Sequence, residues 1–146
     1  MADETAGQLS QNAQQAAPQP EQSTGGIQVL IVEDDPFLSK AYKVKFEHEG
    51  IPADFATDGD MALAKARTGK PKVILLDIML PKKNGFDFLN ERKTDAAIKD
   101  IPVLILSNLG QEDDIKKGME LGAVDYIVKT SMKIQDVVAK VRTYLK

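Results

Sequence analysis

The stretch "VILLDIMLPKKNG", residues 73–85, places four consecutive apolar side chains ahead of Asp77, with a proline and a glycine close behind. An apolar run of that length, bounded by turn residues, reads as a buried strand. A carboxylate at its carboxyl end is either a structural cap or a chemical group held where a ligand can reach it. The rest of the chain decides between the two.

Similar runs recur along the sequence. "IQVLIV" (27–32), "ADFA" (53–56), "KVILLD" (72–77), "PVLILS" (102–107) and "VDYIVK" (124–129) share strand length and β-branched content. Segments of helical periodicity separate them. Pro36 suits the first turn of a helix over 36–49 that directs Leu38, Ala41, Tyr42 and Phe46 inward and ends at Gly50. Asp58 is an N-cap for a second helix that buries Ala62, Leu63 and Ala66 and stops at Gly69. A third begins near Gly85 and buries Phe86 and Leu89. A fourth covers about 111–121, with Ile115 and Met119 on one face, and closes at Gly122. The last starts near Lys133, where Ile134, Val137, Val138, Val141 and Leu145 trace one apolar stripe. Strict alternation of this kind demands parallel strands joined by right-handed crossovers. The expected fold class is therefore α/β, a doubly wound five-stranded sheet with helices on both faces.

A chain of 146 residues with 42% hydrophobic content suffices for one core. Its longest apolar runs, 73–76 and 103–106, fall far short of the roughly 20 residues of a membrane helix. The N-terminus has neither the basic start nor the apolar centre of a secretory signal, and there is no cysteine for a disulfide or a thiolate metal site. A cytoplasmic location without membrane contact is the default expectation. Residues 1–26 are rich in Gln, Ala, Pro, Ser and Gly and too poor in large apolar groups to offset the entropy of ordering them. They are expected to form a disordered tail ahead of a domain over 27–146. The tail holds three (Asp3, Glu4, Glu21) of the chain's 22 acids and none of its 19 Lys and Arg, so the domain balances 19 acids against 19 bases. A neutral domain lacks the positive field behind non-specific nucleic-acid binding, and no nucleic-acid partner is expected.

In doubly wound sheets, ligands bind beyond the carboxyl ends of the strands, where the strand order reverses. The first strand ends in Glu33, Asp34 and Asp35, the third in Asp77, the fourth in Ser107 and the fifth in Lys129; the second offers nothing comparable. With strand order 2-1-3-4-5, Glu33, Asp34 and Asp77 converge on one small volume, and Ser107 and Lys129 stand at its edge. Carboxylates so close repel one another by several kcal/mol unless protons or a cation intervene. Carboxylate oxygens, a carbonyl and waters are the ligands Mg²⁺ prefers, and a site open on one side leaves room for phosphate oxygens. A metal-bound carboxylate is then a plausible nucleophile toward phosphorus. The Ser107 hydroxyl and the Lys129 ammonium are suited to the equatorial oxygens of the group in transfer.

From residue 27 to 146 the sequence resembles the receiver domain of two-component response regulators, on the acidic pair of "LIVEDDP", the "LLDIMLPKKNG" block, the Ser of "ILSN" and the Lys of "DYIVK". The resemblance implies a flavodoxin-like sheet and places on Asp77 the role of accepting a phosphoryl group from a sensor histidine kinase or histidine phosphotransfer protein. It implies Mg²⁺, with Mn²⁺ as a substitute, ligated directly by Asp34 and Asp77, through water by Glu33 and by the backbone carbonyl of Met79. It further implies phosphate contacts from Ser107 and Lys129, and a conformational switch in which Ser107 moves and Tyr126 turns to re-form the surface of the fourth helix, fifth strand and fifth helix. The expected output is binding of a downstream protein, as a stand-alone receiver that is a monomer or a phosphorylation-dependent homodimer. A phosphoacceptor of this kind is not an enzyme in the sense of turning over a substrate.

Two departures carry expectations of their own. Receivers commonly have a proline after the lysine, often with a cis bond; here Thr130 follows Lys129. A non-proline cis bond costs about 3 kcal/mol, so a trans bond and a rearranged loop are expected. Met79 and Leu109, two residues beyond Asp77 and Ser107, are apolar where the resemblance to receivers implies an influence on access of hydrolytic water, so slow self-dephosphorylation is expected. Among alternative functions, an Mg²⁺-dependent phosphatase with an aspartate nucleophile would need a second Asp two residues after Asp77, where Met79 stands. A flavin-binding module would need a hydroxyl- and glycine-rich first loop in place of "EDDPF". A degenerate receiver acting only by binding conflicts with the intact acids, Ser107 and Lys129. Asp35 reads as an N-cap outside the metal shell, and His48, late in the first helix, is assigned no role. Lys82 and Lys83 read as solvated loop charges that border the site and help attract a phosphorylated partner.

Overall fold

The computed structural model describes residues 26–145; the expected tail, but for Gly26, lies outside the described residues. Five strands, β1 (Val29–Val32), β2 (Ala53–Ala56), β3 (Val73–Leu76), β4 (Val103–Ser107) and β5 (Asp125–Val128), pair in parallel in the order β2-β1-β3-β4-β5. Five helices connect and follow them: α1 (Pro36–His48), α2 (Gly59–Gly69), α3 (Gly85–Arg92), α4 (Glu112–Glu120) and α5 (Ile134–Arg142). The doubly wound architecture expected from the alternation is the one observed.

The sheet is buried from both sides, and successive residues of each central strand serve opposite layers. Leu30, Val32, Ile74 and Leu76 pack with Leu63 of α2 and with Phe88 and Leu89 of α3. Val29, Ile31, Val73 and Leu75 pack with Phe46 of α1 and Val141 of α5. Register then fixes the site, because Val32 lies opposite Leu76 and β1 and β3 end level. The next residues, Glu33 and Asp77, emerge side by side, with the Asp77 N–H donating to the Val32 carbonyl at 3.0 Å.

Helix starts follow the cap residues. Asp35 accepts from the N–H groups of Phe37 and Leu38, Asp58 accepts from Met61, and Asn84 with Asp87 forms a reciprocal capping box that opens α3. That last cap was not among the sequence expectations. Several inward-facing assignments also change. Ala41 is exposed, since Tyr42 and Phe46 alone fill the narrow stripe that α1 turns to the sheet, with Leu38 half-buried. Phe86 is half-buried and Phe88 takes the core position instead. Met119 is 42% exposed because the buried face of α4 centres on Gly118, where the ring of Tyr126 approaches the backbone. Lys70, rather than Gly69, adopts the left-handed conformation that ends α2, at φ 43°. Lys129–Ser131 forms a single 3₁₀ turn, and no cis peptide bond occurs among the described residues, as Thr130 implied.

Candidate phosphoacceptor site

The acidic residues meet as the strand ends require. One carboxylate oxygen from each of Glu33, Asp34 and Asp77 lies within 4.8 Å of the others. Glu33 and Asp77 are only 3% and 5% exposed, while Asp34 opens to solvent. Lys129 reaches in from the end of β5, its Nζ standing 2.7 Å from Glu33 Oε1 and 2.8 Å from Asp77 Oδ2. The ammonium therefore bridges the two buried carboxylates.

The remaining oxygens are held by the backbone. Glu33 Oε2 accepts from the Asp35 N–H at 3.2 Å, and Asp77 Oδ1 from the Met79 N–H at 3.2 Å. Ser39 in α1 donates its hydroxyl to the Glu33 carbonyl at 3.2 Å, which ties the first helix to the acidic loop. Nothing in the sequence signalled that contact, since a serine on a helix has no distinguishing neighbour pattern. Burial pushes the Glu33 carboxyl above its ordinary range, with the nearby Asp77 charge adding to it, and the Lys129 hydrogen bond offsets only part of the rise. For Lys129, burial acts to lower the pKa, but the hydrogen bonds to Asp77 and Glu33 outweigh it and hold the ammonium above its usual value. The lysine is thus a fixed cation.

Three carboxylates and one ammonium leave two formal negative charges in the cleft, the deficit a single dication removes. All the donors are hard oxygens, one of them open to water, which suits Mg²⁺ rather than a thiolate- or imidazole-seeking metal. The residues present fit such an ion.

Residues 29–142 match the family model for the response regulator receiver domain. The chain belongs to that family. It is 37% identical over 118 residues to the DNA-binding dual master transcriptional regulator RpaA of Synechocystis, a match covering 81% of this chain and 48% of that protein. To the DNA-binding response regulator MtrA of Mycolicibacterium smegmatis it is 34% identical over 118 residues, covering 81% and 50%. The chain spans about half the length of these curated relatives. Among solved structures, the receiver domain of Francisella response regulator 1452 superposes with a TM-score of 0.74 at 30% identity, covering 82% of this chain and 96% of that one. Vibrio cholerae chemotaxis protein CheY4 superposes equally well, at 0.74 and 25% identity, with 82% and 99% coverage. Two-component signalling and the five-stranded receiver fold follow directly.

The receiver's Ser107 and Tyr126 meet at one residue. Ser107, fully buried at the end of β4, accepts from the Leu109 N–H at 3.2 Å, and the Tyr126 hydroxyl donates to the Leu109 carbonyl at 2.5 Å. Tyr126 is half-buried, and its ring rests against the Gly118 position of α4. Burial, followed by the Asp114 charge, raises its pKa. Met79, whose N–H holds Asp77 Oδ1, is 60% exposed. Among the other residues singled out, Asp35 caps α1, exposed His48 lies at its end, and Lys82 and Lys83 sit in the loop after β3, paired with Asp58, Asp60 and Glu91. Among the described residues, no helix is long and apolar enough to cross a membrane.

Proposed function

We propose that Asp77 accepts a phosphoryl group from a phosphohistidine on a sensor kinase or phosphotransfer protein, and that the modified domain then binds a downstream partner through α4, β5 and α5. The observation that carries this reading is the trio of carboxylates within 4.8 Å, bridged by Lys129. Asp34 and Asp77 would hold Mg²⁺ or Mn²⁺ directly, Glu33 through water and Met79 through its carbonyl. When bound, the ion neutralises the carboxylates and the charge that spreads over the phosphoryl oxygens in transfer.

The protein's own groups do the rest. An Asp77 carboxylate oxygen attacks phosphorus in line, the P–N bond of the donor breaks, and its electron pair stays on the imidazole nitrogen. The Lys129 ammonium, already beside Asp77 Oδ2, exchanges that contact for a phosphoryl oxygen. Ser107 gives up the Leu109 N–H and donates its hydroxyl to another. Releasing Leu109 loosens the loop whose carbonyl holds Tyr126, so a change at phosphorus reaches the α4–β5–α5 surface as a shift between two packings. The domain acts as a phosphoacceptor rather than a turnover enzyme, in the cytoplasm, as a monomer or a dimer formed on phosphorylation. Its balanced charge supports a protein partner for this segment over nucleic acid.

Incubation with Mg²⁺ and acetyl phosphate, followed by intact-mass measurement, tests the reading. One added phosphoryl group that Asp77→Asn abolishes is the expected result; an unchanged mass, or steady hydrolysis of generic phosphate esters, would count against it. Met79 and Leu109 are apolar two residues beyond Asp77 and Ser107, so slow loss of the acyl phosphate is expected in purified protein. Decay within seconds would contradict that.

A further inference from the structure

We propose that Gly59, the first residue of α2, is a positioning residue for the cation site: it is the backstop against which the loop carrying Met79 is held. This rests on the reading of Glu33, Asp34, Asp77 and Met79 as metal ligands. The loop over residues 78–84 leaves β3 beside Asp77 and closes on itself, with the N–H groups of Leu80 and Gly85 both donating to the Ile78 carbonyl, at 3.0 and 2.9 Å. Its far side lies against the start of α2. There the Gly59 N–H donates to the Lys83 carbonyl at 2.9 Å, Lys83 pairs with Asp60 at 3.2 Å and also contacts Glu91, and Lys82 stands 3.8 Å from the Asp58 carboxylate. Lys82 has a left-handed φ of 63°, a conformation that a lysine holds only where its surroundings impose it.

The approach tolerates no side chain. A Cβ on Gly59 would lie 2.3 Å from the Lys83 carbonyl oxygen and 2.7 Å from the Lys83 Cβ. The oxygen belongs to the backbone, so no rotamer change relieves the clash, and the loop or the helix start must move. The inner side is equally tight, since a Cβ on Gly85 would lie 2.5 Å from the Asp77 carbonyl oxygen and 2.8 Å from the Ile78 Cα. The loop is wedged between two glycines. A displacement at Lys83 therefore passes through the Ile78–Gly85 closure to Met79, whose N–H also orients Asp77 Oδ1. Asp58 fixes the backstop by capping the first turn of α2, its carboxylate accepting from the Met61 N–H at 2.8 Å.

Titration calorimetry with Mg²⁺ on the full chain, paired with amide hydrogen exchange of the metal-free protein, tests the role. Gly59→Ala should bind Mg²⁺ about tenfold more weakly, the scale of losing an outer support of a ligand, and exchange faster at Leu80 and Gly85. Ala64→Gly, at an exposed position in the middle of α2, weakens the same helix without touching the loop and should leave the affinity at the wild-type value. The charge-balanced pair Asp60→Asn with Lys83→Met removes both ion pairs of Lys83, to Asp60 and to Glu91, from the clamp without altering the net charge. It should weaken binding about twofold to threefold, in line with a surface pair, and it decides the matter should Gly59→Ala fail to fold. Wild-type affinity and unchanged exchange in Gly59→Ala would overturn the proposal, as would an equal loss in Ala64→Gly. A wild-type protein that takes up no Mg²⁺ would overturn the metal-site reading itself, and this proposal with it.

Discussion

Lys129 holds together a cluster that would otherwise repel itself. Its ammonium lies 2.7 and 2.8 Å from two carboxylates that are almost wholly buried, and burial makes the loss of either partner expensive. Lys129→Met keeps the volume of the side chain and removes the charge. In metal-free buffer it is expected to destabilise the fold by about 3 kcal/mol, the scale of breaking a buried pair, measured as the shift of the urea midpoint. Mg²⁺ should restore part of that loss, because a dication takes over the neutralising role. An unchanged midpoint without metal would show that the carboxylates need no cation. At this scale the acids, Ser107 and Lys129 were legible in the sequence because each ends a strand, and parallel pairing brings strand ends to one edge. Ser39, Gly59 and the Leu109 backbone were not, because their roles come from contacts between elements that no spacing along the chain encodes.

Strands and helices were legible where burial is continuous or periodic. β1 and β3 are buried throughout and stand out as unbroken apolar runs, whereas the ten residues between α3 and β4 contain no such pattern, although Ile98 is fully buried among them and Arg92 is buried just before. Arg92 has no signature in the sequence because its guanidinium is satisfied by the Ile101 carbonyl, at 3.1 and 2.8 Å, a partner nine residues away. The helices are also tied to one another by charge. Arg142 of α5 pairs with Glu49 after α1 at 2.6 Å, and Arg67 of α2 with Asp95 after α3 at 2.7 Å. Each arginine lowers its partner's carboxyl pKa, chiefly through a hydrogen bond. A depressed folded-state pKa contributes stability that is fully present above the unfolded value and is lost as pH falls through the folded one. Wild-type protein should therefore lose stability faster than Arg142→Met or Arg67→Met as the pH drops from the ordinary carboxylate range downward, and the urea midpoints of wild type and variant should converge. Parallel pH profiles would show that these pairs make no contribution.

On the scale of the whole molecule, the sheet order sets everything that follows. Placing β1 beside β3 brings Glu33, Asp34 and Asp77 together, and placing β4 and then β5 beyond β3 lets Lys129 reach Glu33 and Asp77 while Ser107 and Tyr126 meet at Leu109. An ion bound there stabilises only the folded chain, so Mg²⁺ at about a hundred times its dissociation constant should add about 2.7 kcal/mol and raise the melting temperature accordingly. A melting temperature indifferent to millimolar Mg²⁺ would count against the site. The measurement that bears most directly on the account is peptide mapping after reaction with phosphoramidate, a donor whose P–N bond stands in for phosphohistidine. With Mg²⁺ present, one phosphoryl group is expected on the peptide that contains Asp77, and none when the metal is chelated. A phosphoryl group on any other residue, or uptake that ignores the metal, would contradict it.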